Sequence, residues 1–263
     1  MHRYEPAPDL RDRVRHVWLP VWDIPQGQVW EQHVLAYPCC QIVVGSEYAR
    51  FYGVVRGLSR VSLQGRGWVV GTMLAPGAGW LVTRTPVSRL TDTWVDLADL
   101  GPPWADLVEL VRSAMRADPT DPAAHRRAAD HVQAAIREHL TLDPEGALVT
   151  AIVDAVEGDP ELRRVDELAV RFALSERSLQ RIVSRRLGLT PRWLIQRRRL
   201  HEAAQRLRWG QSDLAGLAAE LGYADQAHFA REFRAVTGQP PSQFRARATR
   251  QDPAHPGGPD PSR

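Results

Sequence analysis

The first hundred residues consist of short apolar segments separated by Gly, Pro and Ser, a pattern typical of β-strands joined by turns. The segments are rich in Val, Ile, Trp and Tyr, which favour strands. They cover residues 14–22, 28–37, 40–45, 48–55, 60–65 and 67–74. We therefore predict a β-rich domain over residues 1–100, with a fold like a small barrel or sandwich. Residues 76–92 are predicted to form a turn, a short helix and another turn.

From residue 103 onwards, apolar residues recur every three to four positions, which is the period of an amphipathic α-helix. Residues 103–116 and 123–140 are predicted as two helices separated by the sequence "DPTDP", and residues 147–158 as a third helix that ends at a glycine. We assign residues 101–147 to a helical connector or dimerisation region. Simple packing of these helices on the β-rich domain is the alternative interpretation.

An internal repeat occupies residues 160–247. Matching residues of its two copies lie 49 or 50 positions apart: Leu168-Ala169 and Leu217-Ala218, Leu179 and Phe229, Arg181 and Arg231, Val183 and Phe233, Gly188 and Gly238, Pro191 and Pro241. Each copy contains a short helix, a turn of a few residues and a second helix that ends at a glycine. This arrangement is the signature of a helix-turn-helix motif.

The second helix of each copy, called the recognition helix below, has an apolar side and a polar side. Ser175 and Asp225 are placed to cap the two helices at their N-termini. The predicted core positions are Leu179, Ile182, Val183 and Leu187 in the first copy and Phe229, Phe233 and Val236 in the second. The opposite side carries Arg and Gln, whose side chains pair with guanine and adenine in the major groove of DNA.

The segment between the two copies, residues 191–210, begins with Pro and ends with Gly. We predict one helix of roughly 17 residues, about 25 Å long at a rise of about 1.5 Å per residue. Such a helix suits two recognition helices that are separated by about one DNA turn, roughly 34 Å. Two environments are open for its arginines, phosphate or solvent: Arg197, Arg198, Arg199, Arg206 and Arg208.

The balance of charge differs between the two parts of the chain. Residues 1–157 contain 15 Arg and 19 acidic residues, whereas residues 158–263 contain 19 Arg and 12 acidic residues, and the sequence contains no lysine. Residues 163–250 alone carry 18 Arg and 8 acidic residues. A basic C-terminal block predicts contact with a polyanion in this part of the chain. A basic surface in solvent is the alternative.

The sequences "LAGLAAELGYADQAHFAREFRAVTGQPPSQFR" (214–245) and "SLQRIVSRRLGLTPRWLIQRRRLHEAAQRL" (178–207) resemble the signature of AraC/XylS-type transcriptional regulators. The resemblance implies an all-α DNA-binding domain over residues 148–248, with two helix-turn-helix motifs joined by a long helix. The whole chain is then of the α+β class. The implied function is sequence-specific regulation of transcription without catalysis. The implied partners are double-stranded promoter or operator DNA, RNA polymerase, a small-molecule effector and a second copy in a homodimer.

The resemblance also assigns DNA contacts to individual residues. Base edges are assigned to Arg177, Gln180, Arg181, Gln226, Ala227, His228 and Arg231. The DNA backbone is assigned to Ser178, Arg185, Arg234 and Ser242. Ala227 departs from the larger polar residue that many relatives carry at this position, so the resemblance implies no hydrogen bond there.

The segment "VSLQGRGWVVGTMLAPGAGWLVTRTPVSRLTD" is similar, more loosely, to the β-rich sensor domain of some of these regulators. No ligand follows from this similarity. Five tryptophans either line an apolar effector pocket or belong to an ordinary core: Trp18, Trp22, Trp30, Trp68 and Trp80.

The two cysteines, Cys39 and Cys40, are adjacent and therefore cannot easily form a disulfide with each other. Small core residues are their expected role. No spacing typical of metal ligands, of an activated nucleophile or of a phosphate-binding loop is present, so we expect neither a metal nor a cofactor. The alternative function is a DNA-binding module attached to a Cys-based alkyl-transfer sensor.

The chain contains no apolar run near the roughly 18 residues of a membrane span, and its start lacks the apolar core of a signal peptide. A cytoplasmic location is therefore expected, and the resemblance to AraC/XylS-type regulators implies a bacterial protein. The Pro- and Gly-rich residues 249–263 are predicted to be a disordered tail.

Overall fold

The computed structural model describes residues 1–34, 37–208 and 213–248. The chain divides into two compact units, Met1–Leu194 and Ile195–Arg263. A β-rich N-terminal part is followed by a helical C-terminal part, which confirms the predicted α+β class. The tail predicted over residues 249–263 lies outside the described residues.

The strands of the described residues all precede position 97. They are β1 (His2–Tyr4), β2 (Val14–Leu19), β3 (Val21–Asp23), β4 (Trp30–Val34), β5 (Gln41–Gly45), β6 (Ala49–Tyr52), β7 (Ser59–Leu63), β8 (Arg66–Leu74) and β9 (Trp94–Asp96). Seven of them form one antiparallel sheet in the order β1-β2-β8-β5-β6-β9, with β3 also paired to β8. Strands β4 and β7 form a separate two-stranded sheet.

One short helix, α1 (Gly79–Thr83), lies among the strands, and helices dominate the described residues after position 101. These later helices are α2 (Pro102–Met115), α3 (Pro122–His139), α4 (Pro144–Gly158), α5 (Val165–Arg171), α6 (Glu176–Leu187), α7 (Pro191–Arg208), α8 (Leu214–Glu220), α9 (Gln226–Thr237) and α10 (Pro241–Ala248). Proline begins α2, α3, α4, α7 and α10, a position where its missing N–H leaves no hydrogen bond unmade. None of the described helices is long and apolar enough to cross a membrane.

One side of the seven-stranded sheet forms the core of the N-terminal domain. Ile42 lies opposite Thr72 on β8 and Phe51 on β6, and these three residues are at most 1% exposed. Helix α3 packs on the same side, where Nδ1 of His125 is 3.2 Å from the hydroxyl of Tyr4. Because side chains alternate between the two sides of a sheet, the row that contains Ile42, Thr72 and Phe51 lies on the side covered by the helix.

Most predicted elements are present, and the differences have physical reasons. The predicted strand 14–22 is divided at Pro20, which has no N–H to contribute to a sheet. Its two parts, β2 and β3, both pair with β8. The apolar pattern does not predict β1 and β9, because three residues are too few to show an alternation.

Helix α4 packs closely on the loop that follows β8. The N–H of Gly77 donates to the hydroxyl of Thr150 at 3.1 Å. A Cβ atom added at Gly77 would lie only 1.9 Å from the carbonyl oxygen of Gly146. The absence of a side chain at Gly77 therefore permits this approach.

We expect the substitution Gly77→Ala to lower the free energy of unfolding by about 1–3 kcal/mol, because the new methyl group overlaps backbone that cannot move away. Gly158→Ala is the matched control: its Cβ meets nothing within 4 Å at the end of α4. That change is expected to be neutral or stabilising by up to about 1 kcal/mol. Urea unfolding followed by circular dichroism measures both. Equal midpoints for the two variants would contradict the close packing.

Candidate DNA-binding surface

The first helix-turn-helix motif consists of α5, a turn and the recognition helix α6. Ser175 caps α6, because its hydroxyl accepts a hydrogen bond from the N–H of Ser178 at 3.2 Å. Gly188 follows the helix with φ of 78°, a left-handed conformation that favours glycine. The predicted core positions are all buried in the structure: Leu179, Ile182, Val183 and Leu187.

The opposite side of α6 is exposed in the first half of the helix. Arg177, Gln180 and Arg181, the residues assigned to base edges, all lie there. We call these three residues the reading face of α6. Ser178, assigned to the DNA backbone, is half-buried beside the cap, and its hydroxyl accepts a hydrogen bond from that of Ser175 at 3.0 Å.

Two arginines at the C-terminal end of α6 have acidic partners. Arg185, assigned to the DNA backbone, is exposed and forms an ion pair with Glu145 in the first turn of α4. The neighbouring Arg186 is buried and pairs with both Asp143 and Glu145. About 40 residues separate these acids from the arginines, so no local pattern reveals the pairing.

One signal in the sequence points to Arg186. The offset of 50 between the two copies aligns Arg186 with Val236, which belongs to the predicted core of the second recognition helix. An arginine at a position that the repeat makes apolar indicates a specific buried partner. The partner itself cannot be read from the repeat.

The second helix-turn-helix motif consists of α8, a turn and the recognition helix α9. Its cap is Asp225, whose carboxylate accepts the N–H of His228 at 2.7 Å, and Gly238 follows α9 with φ of 78°. Aromatic rings form the core of this motif. The successive ring centroids of Tyr223, Phe229, Phe233 and Phe244 are 5.3, 5.5 and 5.4 Å apart.

The outer side of α9 carries most of the residues assigned to DNA. Those that are exposed are Gln226, Ala227, Arg231 and Arg234, together with Ser242 in α10. His228 differs from them, because it is half-buried and its Nε2 lies 3.1 Å from a carboxylate oxygen of Glu232. The ring of His228 also packs edge-on against Tyr223, with 5.5 Å between centroids. His228 therefore already has partners within its own motif.

Helix α7 confirms that a single long helix follows the first motif. Some of its arginines are less exposed than predicted, whereas Arg208 is exposed. Arg197 and Arg198 are 4% and 8% exposed, so neither of the two predicted environments, phosphate or solvent, describes them. Arg198 pairs with Glu202 one turn away at 3.3 Å, and this carboxylate lowers the cost of burying the cation.

Two further arginines of α7, which lie in the second unit themselves, contact residues of the second helix-turn-helix motif. The guanidinium of Arg199 lies 4.4 Å from the ring centroid of Tyr223. Arg206 pairs with Glu202 and with Glu220, each at 2.6 Å. These contacts favour a structural role for Arg199 and Arg206 in joining α7 to the second motif.

Both cysteines are free thiols in the buried core. Cys39 and Cys40 are 5% and 0% exposed, and burial raises the pKa of the Cys40 thiol far above its usual value. A methyl acceptor requires an accessible thiolate, so the alkyl-transfer alternative gains no support. In the described ranges, no group of three His, Cys, Asp or Glu side chains could hold a metal ion.

The tryptophans considered for an effector pocket lie in separate places. Trp18 and Trp22 cover Gly71 and Gly67 of β8, whereas Trp68 projects from the other side of that strand. Trp30 is 52% exposed on the two-stranded sheet. Trp80, on α1, lies under the guanidinium of Arg186. These positions favour separate structural roles over one shared pocket.

Both parts of the chain match known protein families. Residues 168–247 match the family described as "Helix-turn-helix domain". Residues 2–96 match the family described as "Domain of unknown function (DUF6597)". The first match begins within α5 and ends within α10, and the second match covers the β-rich domain.

The similarity to curated proteins extends over part of this chain. The HTH-type transcriptional activator RhaS of Pectobacterium carotovorum is 36% identical over 81 residues, which are 31% of this chain and 29% of the relative. RhaS of Yersinia pestis is 31% identical over 104 residues, 40% of this chain and 38% of the relative. The chain thus spans about a third of the length of the curated relatives that it matches.

Solved structures give weaker similarity over more of the chain. ToxT from Vibrio cholerae covers 89% of this chain and 98% of its own, with 12% identity and a TM-score of 0.41. The C-terminal domain of AraT, a response regulator from Geobacillus stearothermophilus, covers 44% of this chain and 94% of its own, with 22% identity and a TM-score of 0.35. Similarity at this level carries no functional information. The repeat, the caps and the family match, however, agree: residues 168–247 are an AraC-type helix-turn-helix domain, carried on a chain whose residues 2–96 are a DUF6597 domain.

Proposed function

We propose that the protein is a sequence-specific, DNA-binding regulator of transcription that inserts α6 and α9 into the major groove. One observation carries this proposal: Arg181 and Arg231 occupy equivalent positions in two helices with the same kind of cap and the same terminal glycine, and both are exposed. A bidentate contact from Arg to guanine is the commonest specific contact in the major groove.

The proposal divides the assigned residues by role. The reading face of α6 and the exposed Gln226, Ala227 and Arg231 of α9 contact base edges. The methyl group of Ala227 suits an apolar contact with a thymine methyl. His228 contributes only if its ring leaves Glu232. Contacts with the DNA backbone are proposed for Ser178, Arg185, Arg234 and Ser242, which position the protein without reading sequence.

Further partners belong to the same proposal. A regulator of this kind acts on RNA polymerase at a promoter in the bacterial cytoplasm. The DUF6597 domain and helices α2 and α3 provide surfaces for a small-molecule effector or for a second copy of the chain.

Selection of bound sequences from random double-stranded DNA tests the proposal directly with the purified full-length protein. We expect enrichment of a site with two conserved half-sites, one for each recognition helix. Repeating the selection with cell metabolites present shows whether the N-terminal domain responds to a ligand. A library that shows no enrichment at low salt would contradict sequence-specific binding.

Replacing Arg181 or Arg231 by Ala should weaken binding to the selected site by about 1–3 kcal/mol, because each change removes one base contact. Each variant should also relax the base preference in one half-site only. Binding is measured by fluorescence anisotropy with sites in which either half is scrambled. Arg116→Ala is the matched control, since Arg116 is an exposed arginine at the end of α2. A variant that binds as tightly as the control would exclude that arginine from base recognition.

Arg234→Ala should behave differently from Arg231→Ala, because a phosphate contact carries no sequence information. We expect Arg234→Ala to weaken binding to selected and scrambled DNA by the same factor. The slope of log affinity against log salt concentration should decrease by about 1, since one contact that releases counterions is lost. A titration from low to physiological salt measures this slope. An unchanged slope would remove Arg234 from the DNA backbone.

A further inference from the structure

Arg186 lies on the side of α6 that faces away from the reading face. It follows Arg177 by nine positions, which is about two and a half helical turns. It is 4% exposed, whereas Arg177 is exposed. The helix thus carries an arginine in its buried side in addition to those of its reading face.

The guanidinium of Arg186 is enclosed by residues that precede the helix-turn-helix domain. Its Nε donates to a carboxylate oxygen of Glu145 at 2.6 Å, and Nη2 donates to the carboxylate of Asp143. Its central carbon lies 4.2 Å from the ring centroid of Trp80, a distance suited to a cation–π contact. We call Arg186 with Trp80, Asp143 and Glu145 the Arg186 clamp.

The two acids of the clamp are themselves held in place. Asp143 caps α4 by accepting the N–H of Gly146 at 2.7 Å. Burial by itself would raise the pKa of Asp143, but the hydrogen bonds from Arg186 and Gly146 outweigh it and lower the pKa. Burial would likewise raise the pKa of Glu145, but the hydrogen bonds from Arg186 and Arg185 outweigh burial and lower this pKa. Both acids are therefore carboxylates at neutral pH.

A second contact holds the end of the same helix. The hydroxyl of Thr91, in the β-rich part of the chain, donates to the carbonyl oxygen of Gly188 at 2.9 Å. A Cβ atom at Gly188 would lie 2.6 Å from that hydroxyl oxygen and 3.1 Å from the carbonyl oxygen of Val87. The C-terminal end of α6 is thus fixed both by the clamp and by the Thr91 contact.

Stability alone does not explain an arginine at this position. The second copy of the repeat has Val236 in the equivalent place, and apolar residues that replace a buried ion pair are often neutral or stabilising. Nη1 of Arg186 is also buried without a hydrogen-bond partner in the described residues, which adds a cost. The charged contacts instead fix the orientation of the Arg186 side chain, because the planar guanidinium holds its hydrogen-bond donors and the stacked ring in one geometry.

We propose that Arg186 is a positioning residue for DNA recognition: the clamp fixes the direction in which the N-terminal region presents the reading face of α6. This inference rests on the proposed function, since it assumes that α6 contacts DNA. It adds that the first half-site is recognised by a helix whose orientation is set by Trp80, Asp143 and Glu145. Binding at the first half-site and the state of the N-terminal region are then linked in both directions.

Arg186→Met in the full-length protein is the principal test. Methionine keeps the length and the burial of the side chain but removes the charge and the donors. Because Asp143 and Glu145 are partly exposed to water, we expect the fold to persist with some loss of stability. We expect affinity for the first half-site to fall roughly tenfold, while the contribution of the second half-site stays unchanged. Arg186→Lys, which keeps the charge without the planar fork, should recover part of the loss.

Arg137→Met is the matched control, because Arg137 forms an exposed ion pair with Asp9 at 2.7 Å on α3. It should bind both half-sites as the unchanged protein does. If Arg186→Met does not fold, Glu145→Gln, which removes one acceptor of the clamp from a partly exposed position, gives the same measurement.

Hydrogen exchange supplies a measurement that a merely structural role would not change. Selected DNA should slow exchange of the amides of α1, Gly79–Thr83, in the unchanged protein and should have no such effect in Arg186→Met. Equal losses at the two half-sites, no loss at either, or the same DNA-induced protection in both proteins would overturn the positioning role. If the unchanged protein selects no DNA site, the proposed function is overturned, and this inference with it.

Discussion

The recognition helices α6 and α9 contain 12 residues each, a length at which an isolated helix is only marginally stable in water. Each helix therefore depends on burying one of its sides. The rest of the helix-turn-helix part follows from this constraint, because the side that is buried decides which residues remain exposed. In both helices the buried side leaves an arginine exposed at the same repeat position, Arg181 or Arg231.

The two copies meet the same constraint with different chemistry. In α9 the buried side joins an aromatic cluster that contains Phe229 and Phe233 and excludes water without any charge. In α6 the apolar Leu179 and Val183 are supplemented by a buried cation, Arg186, whose partners lie outside the motif. An apolar contact tolerates small rotations, whereas a charged and stacked contact specifies one orientation. The second motif is therefore complete within its own unit, and the first is packed as part of the N-terminal unit.

The arginines of this protein are accordingly divided between binding and structure. The sequence has no lysine, so every basic position is an arginine whether or not it contacts DNA. Arg198 and Arg206 on α7 pair with Glu202, and Arg185 pairs with Glu145. Ion pairs of this kind reduce the charge available to a polyanion, so the number of arginines in the basic block overstates the number available to a polyanion. Arg177, Arg181, Arg231 and Arg234 are exposed on the recognition helices and form none of these ion pairs.

The sequence by itself determined the class of the fold, the position of the repeat, the caps Ser175 and Asp225, and the terminal glycines Gly188 and Gly238. These features depend on neighbours within a few residues, so local periodicity and turn chemistry are sufficient to predict them. The exposed residues of α6 and α9 followed for the same reason, since burial of one helical side fixes the other.

Only the tertiary structure decided which arginines are occupied within the chain and where the tryptophans lie. The pairing of Arg186 with Asp143 and Glu145, the stacking on Trp80 and the contact of Thr91 with Gly188 join residues that are about 40 to 100 positions apart. His228, assigned to DNA by resemblance, proved to lie against Glu232 and Tyr223. A pattern along the chain records which side of an element is buried, but not which distant element covers it, because that choice depends on how all the elements pack together.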